Sequence, residues 1–91
     1  MKLKVQIDGD KINSENDFHD VISKELDFPD YYGRNWDALW DCLSGHAETD
    51  VLITISCSSS MKNKLGKDFD KIVEIFERTH NLCPEFEYEL K

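Results

Sequence analysis

The sequence predicts an α/β fold of two layers, a three-stranded parallel sheet with helices packed on one face. Three observations lead there. Strand-like segments at the two ends and in the middle of the 91 residues are separated by stretches with helical apolar spacing, the alternation that builds parallel sheets with right-handed crossovers. The middle segment, Val51-Leu52-Ile53-Thr54-Ile55, is a nearly continuous, β-branched run, as a central strand should be. The outer two segments alternate polar and apolar residues, so each buries one side. Helices should therefore cover a single face and leave the other in water, which is unusual for parallel strands.

The first strand runs from Lys2 to Asp8, with Leu3, Val5 and Ile7 on its buried side. Asp8-Gly9-Asp10 is a turn. Ser14 caps the following helix, and Asp17 three residues on makes a start that resembles a capping box. Phe18, Val21, Ile22 and Leu26 mark its buried face, and His19 reads as a surface histidine. Pro29 ends the approach to a loop containing Tyr31-Tyr32-Gly33. Asn35 stands where an N-cap belongs, because its side chain can accept the orphan amides of a first helical turn. Trp36, Leu39, Trp40 and Leu43 follow at i, i+3, i+4 and i+7, and Gly45 is placed as a C-cap. After the central strand, Ser56 to Lys64 reads as a polar loop with a short helical turn. From about Asp68 a helix shows Phe69, Ile72, Val73 and Phe76 at the same spacing. Glu85 to Lys91 alternates Phe86, Tyr88 and Leu90 with glutamates, a last edge strand.

Length fits one domain over residues 1–91 with a single modest core. No apolar run approaches the roughly 18 residues that span a membrane. The N-terminus breaks into alternation at once and carries no signal core, so the expected location is cytoplasmic and the expected mature protein is the whole chain. The odd count of cysteines, Cys42, Cys57 and Cys83, argues for reduced thiols, with a Cys42–Cys83 or Cys57–Cys83 contact left open. Net charge is −8, and its distribution says more than its sum. Residues 15–50 hold ten acids against Lys24 and Arg34, while the rest of the chain is balanced. An acidic lobe repels nucleic acid and attracts a basic partner.

Within that lobe, Asp37 and Asp41 are four apart and so share a helix face. Like charges at this spacing cost a few tenths of a kcal/mol, roughly the size of a favourable pair. No lysine or arginine stands three or four residues away within the helix to offset it. A solvated face is one reading; a cation supplied from elsewhere is the other. By default aromatics at helical spacing are core, which suits Trp36 and one tyrosine. Tyr31 and Trp40, flanking the carboxylates, fit an exposed rim, where such side chains supply much of the energy of an interface.

Other constellations are weaker. Cys42 and His46 have dyad-like spacing, but no third group orients the histidine, and Cys42 reads as a small buried residue. His80 and Cys83 lack the further ligands of a metal site. Lys62, Lys64 and Lys67 lack the glycine spacing of a phosphate loop and read as solvated. Carboxylates on adjacent turns of one helix flank no cleft of their own for acid–base chemistry.

The run Leu26 to Gly45, with Pro29, Tyr31, Tyr32, Gly33, Asn35, Asp37, Ala38, Leu39, Trp40, Asp41, Cys42 and Leu43, closely resembles the barstar family of intracellular ribonuclease inhibitors. The order of elements on either side extends the resemblance over essentially the whole chain, most strongly in the middle. It implies three parallel strands beneath a small helical layer. It also implies no enzymatic activity, no cofactor and no metal, in a chain that is monomeric when free. The implied partner is a basic, barnase-like ribonuclease or related toxin nuclease, with no direct contact to nucleic acid or membrane. By the resemblance Asp41 is the main phosphate mimic and Asp37 the second anion, while Tyr31, Gly33, Asn35, Trp40, Ser44, Gly45 and His46 line the contact. Two positions depart from the family. His46 stands where it has a tryptophan, and Arg78 falls where it has an acidic contact residue. Two other classes stay open: a non-inhibitory acidic module for a basic cellular partner, and an enzyme using the carboxylates or the Cys42–His46 pair.

Overall fold

The computed structural model describes residues 2–45 and 50–91. Strands β1 (Leu3–Asp8), β2 (Val51–Ser56) and β3 (Phe86–Leu90) form one parallel sheet in that order. Leu3, Val5 and Ile7 stand opposite Val51, Ile53 and Ile55, which in turn face Phe86, Tyr88 and Leu90. Val5, Ile7, Val51, Ile53, Ile55 and Phe86 of this row form the floor of the core, with Tyr88 at its border, whereas Leu3 and Leu90 at the sheet's outer corners are exposed. The alternate row presents Lys4, Gln6, Glu87 and Glu89 to solvent, so the open face expected from the alternation is present. Thr54, in the middle of that row, is buried and donates to Glu89 Oε1 at 3.3 Å.

Four helices close the opposite face: α1 (Glu15–Glu25), α2 (Trp36–Gly45), α3 (Ser58–Leu65) and α4 (Lys67–Leu82). Phe18 and Ile22 of α1, Leu39 and Leu43 of α2, Met61 of α3 and Ile72 and Phe76 of α4 meet over the sheet in one buried cluster. Phe76 is its hinge, with rings of Phe18, Phe86 and Tyr88 within 6.2, 5.6 and 5.7 Å. The stripe expected in α4 is buried at Phe69, Ile72 and Phe76, with Val73 at its border, and it widens to include Ile75 and Thr79. Among the described residues no helix is long and apolar enough to cross a membrane.

The segment read as a loop from Ser56 to Lys64 is instead mostly helix α3. Its apolar signal, Met61 and Leu65, is a single i, i+4 pair, and its N-terminal residue Cys57 supplies no side-chain cap. The missing partners come from far along the chain. Ser58 donates both its amide and its hydroxyl to the Lys91 carbonyl, each at 2.9 Å. At its other end Lys64 Nζ donates to the Asp10 carbonyl and to Asn13 Oδ1. The 3-10 turn at Gly9–Lys11 approaches so closely that a Cβ on Gly9 would lie 2.5 Å from the Cys57 carbonyl oxygen. Lys62 and Lys67 are exposed, as expected.

Helix α1 starts as read, with Ser14 Oγ accepting from the Asp17 amide, but Asp17 reaches back to the amide of Asn13, not to that of Ser14. Its end is a Schellman turn. Phe28 donates to the Ser23 carbonyl at 2.9 Å and Asp27 to that of Lys24. Asp27 therefore sits at φ 54°, in the left-handed region that disfavours side chains. Asp27→Gly should stabilise the fold by about 1 kcal/mol, read as a raised urea midpoint with an unchanged slope.

Strand β3 is tied to α4 by the Tyr88 hydroxyl, which donates to Glu77 Oε2 at 2.6 Å. Burial, then this hydrogen bond, push Tyr88 up to about 12. Because the folded value lies above the usual value of about 10, the contribution is complete below pH ~10 and is lost as pH rises through about 12. Between those limits the denaturation midpoint of the parent should fall more steeply than that of Tyr88→Phe.

Candidate functional site

The loop before α2 is shaped by a tight turn. Tyr32 donates its amide to the Pro29 carbonyl at 2.9 Å, which throws Tyr31 outward at the turn's apex and folds Tyr32 back. Tyr31 is 79% exposed and Tyr32 only 9%. Tyr32 enters an aromatic box with Phe28 at 4.9 Å and His19 at 5.5 Å between ring centroids. Trp36 lies 5.0 Å from His19 and 6.2 Å from Phe18. The box fastens both ends of the loop to α1.

His19 is the centre of that box and not a surface residue, being 1% exposed. Its Nε2 meets Glu15 Oε2 at 3.0 Å and its Nδ1 the Tyr32 hydroxyl at 2.6 Å; in the neutral ring Nε2–H donates to the carboxylate and Nδ1 accepts from the hydroxyl. Burial pushes the Tyr32 hydroxyl well above its ordinary value, so it stays protonated and able to donate. The Glu15–His19 spacing of four residues was the signal available in the sequence; the burial depends on Tyr32 arriving from the loop.

Asn35 caps α2 as its position suggests, accepting from the Ala38 amide at 2.7 Å. Its other arm donates to the Gly33 carbonyl at 3.4 Å. A Cβ on Gly33 would come within 3.3 Å of that amide nitrogen and 3.4 Å of the Ala38 Cβ, so glycine here keeps the cap and loop together. Arg34, at φ 53°, pins the loop from outside through an ion pair with Asp20 at 2.7 Å and hydrogen bonds to Asn16.

Asp37 and Asp41 are both exposed on α2. Neither makes an ion pair within the described residues. Asp37 lies in the first turn, where the helix dipole favours an anion; Asp41 lies nearer the other end and gains nothing from it. Beside Asp41 is a shallow hollow of about 320 Å³ lined by Tyr31, Tyr32, Gly33, Ala38, Asp41 and Cys42. Its walls are mainly apolar and its rim carries one carboxylate, a combination that suits a flat cationic side chain. Cys42 is buried at its base, and burial followed by the charge of Asp41 push its thiol up. That is the reverse of what an activated nucleophile needs.

Across α2 from the hollow, Trp40 is half-buried and lies under Arg78 of α4, with the guanidinium carbon 4.3 Å from the ring centroid. Trp36, Asp37, Lys71 and Glu74 complete a cleft of about 150 Å³ there. Ser44 spends its hydroxyl on the Trp40 carbonyl at 2.7 Å, and Gly45, exposed, closes the described part of α2.

Tyr31, Gly33 and Asp41 thus share the hollow, Asp37 and Trp40 the cleft across α2 from it, and Asn35 stands at one end of the helix with Ser44 and Gly45 at the other. His46, and with it the Cys42–His46 pair, lies outside the described residues. Cys42, Cys57 and Cys83 are free thiols. His80 Nδ1 meets the Phe86 carbonyl at 2.7 Å, a structural tie between α4 and β3. Distant from the acidic face, ligand atoms of Asp8, Asp10 and Cys57 converge within 4.8 Å. Hydrogen bonds from Ser60 and Cys57 already hold the Asp10 carboxyl below its usual range, and Asp10 in turn pushes the Cys57 thiol up. This favours a protonated sulfur, which is a poor metal ligand.

Known proteins carry the same pattern. The sequence profile of the family described as Barstar (barnase inhibitor) matches residues 3–89. A curated relative, the "Putative ribonuclease inhibitor YrdF" of Bacillus subtilis (strain 168), is 38% identical over 74 residues, covering 81% of this chain and 81% of the relative. With the parallel three-stranded sheet, the four helices and the match over nearly the full length, the chain belongs to the Barstar (barnase inhibitor) family, a family of inhibitors and not of enzymes.

Proposed function

We propose that this protein inhibits a basic ribonuclease by docking α2 and the loop before it into the enzyme's active site. The observation that carries the reading is the pair Asp37 and Asp41, exposed, four residues apart on a capped helix, and engaged in no ion pair among the described residues. A ribonuclease must hold phosphate with cationic groups. Carboxylates on a rigid helix can occupy those positions, and nothing in them can be cleaved. Asp41 is the principal mimic, because it adjoins the hollow beside Tyr31 into which an enzyme side chain can enter. Tyr31 and Trp40 supply apolar contact on either side. Gly33, Asn35, Ser44, Gly45 and His46 complete the contact. Such an inhibitor acts as an immunity protein or antitoxin in a bacterial cytoplasm, before its nuclease is exported or released.

Titration of barnase with the protein, using a fluorogenic RNA substrate, tests this. The expected result is loss of activity at one-to-one stoichiometry, relieved competitively by substrate. Binding without inhibition would favour a plain acidic interaction module. Association should also be fast, about 10⁸–10⁹ M⁻¹s⁻¹ at low salt, a range established on charge-steered complexes of this very type. The on-rate should fall steeply as salt is added, because residues 15–50, which include the contact, carry the chain's whole net charge of −8. An on-rate indifferent to ionic strength would remove electrostatic steering from the account.

A further inference from the structure

Arg78 is an exposed cation set against the acidic face, and it is held without being neutralised. Its guanidinium lies over the Trp40 ring at 4.3 Å, a cation–π contact that occupies one face of the plane. Among the described residues no hydrogen bond or ion pair takes its N–H donors, so the fork is open. Asp37 and Glu74 line the same cleft, yet among the described residues no carboxylate forms an ion pair with Arg78. An arginine ordered by stacking and unpaired at its fork is organised in advance to take a planar anion through two parallel hydrogen bonds. Phosphodiester is the wrong anion here. Asp37 and Glu74 line the cleft together with Arg78 and Lys71, and the chain as a whole carries a net charge of −8, a field that repels a nucleic-acid strand. A single carboxylate on a protein surface that is otherwise basic meets both requirements.

We propose that Arg78 is a specificity-determining residue: the nuclease that docks on Asp37 and Asp41 carries a carboxylate facing the Trp40–Arg78 stack, an acid in the rim of a basic cleft. The inference rests on the inhibitor reading and adds the chemistry of one partner residue. It also states whom the protein rejects. A nuclease with lysine or arginine at that place meets a like charge, and like-charge contact is an effective means of excluding the wrong partner.

The test uses barnase, together with variants in which each surface arginine or lysine bordering its RNA cleft is changed singly to glutamate. Each enzyme is titrated with the parent protein and with Arg78→Ala, Arg78→Lys, Arg78→Glu and Asp41→Ala. Reversal of one rim cation should tighten inhibition by the parent about tenfold. That gain should vanish with Arg78→Ala, survive in part with Arg78→Lys, which keeps charge but not the fork, and turn into a loss with Arg78→Glu. Arg78→Glu should in turn inhibit unmodified barnase better than the parent does. A gain that persists in Arg78→Ala overturns the assignment of Arg78. So does a scan in which no reversal helps while Asp41→Ala still weakens inhibition; either result leaves the inhibitor reading standing. If neither the parent nor Arg78→Glu inhibits any of these enzymes, both fall together. Binding of a single-stranded RNA oligonucleotide that disappears in Arg78→Ala would also overturn the proposal, in favour of a phosphate contact.

Discussion

Asp41→Ala is expected to weaken inhibition of a target ribonuclease by about 2–5 kcal/mol, the usual loss when one member of a buried interfacial charge pair is truncated. In affinity that is roughly thirtyfold to several thousandfold. Most of the loss is the cost of leaving an enzyme cation desolvated and unpaired, so it should appear in the dissociation rate more than in the association rate. Folding should not suffer. Asp41 is exposed, it repels Asp37 across one turn, and alanine is the better helix former. The urea midpoint of the variant should equal or slightly exceed that of the parent. Asp37→Ala should weaken binding less, since Asp37 lies on the side away from the hollow that Asp41 lines. Inhibition by Asp41→Ala as tight as by the parent would reduce the pair to a solvated face.

His19→Ala is expected to cost about 3 kcal/mol of folding stability. Two losses combine. The buried ring leaves a cavity against Phe18, Tyr32 and Trp36, and such cavities cost in proportion to how little their walls collapse. The Tyr32 hydroxyl also loses its acceptor, and an orphaned buried hydroxyl costs roughly 1–3 kcal/mol. Tyr32→Phe separates the two, since it removes the hydroxyl and keeps the ring; it should cost about 1–2 kcal/mol. Because the box holds the loop carrying Tyr31 and Gly33, His19→Ala should slow association with the nuclease as well, although His19 is too deep to touch it. Amide exchange across residues 29–35 should accelerate in step. Unchanged exchange there, with a lowered global midpoint, would mean that the box supports the core but does not order the loop.

Elements whose signals act over four residues or fewer were legible in the chain itself. Ser14 and Asn35 cap their helices because an N-cap needs one side chain and one amide two or three residues on. The stripes of α1, α2 and α4 and the alternation of β1 and β3 name their buried faces, because period and burial are the same geometry seen twice. The acidic face was legible as well, since two aspartates at i, i+4 with no nearby cation are visible without coordinates. What the tertiary structure decided are the matters settled by partners distant in sequence. Helix α3 is not legible in the sequence because its ends are satisfied by Lys91 and by the turn at Gly9–Lys11. The burial of His19 is not legible because periodicity assigns a boundary residue to a side of the helix and says nothing of what meets it there; its hydrogen-bond partner is a tyrosine 13 residues away. The stacking of Arg78 on Trp40 joins two helices separated by β2 and α3. Burial of a polar side chain is decided by whether a complementary group arrives to hydrogen-bond it, and that arrival is a property of the assembled fold.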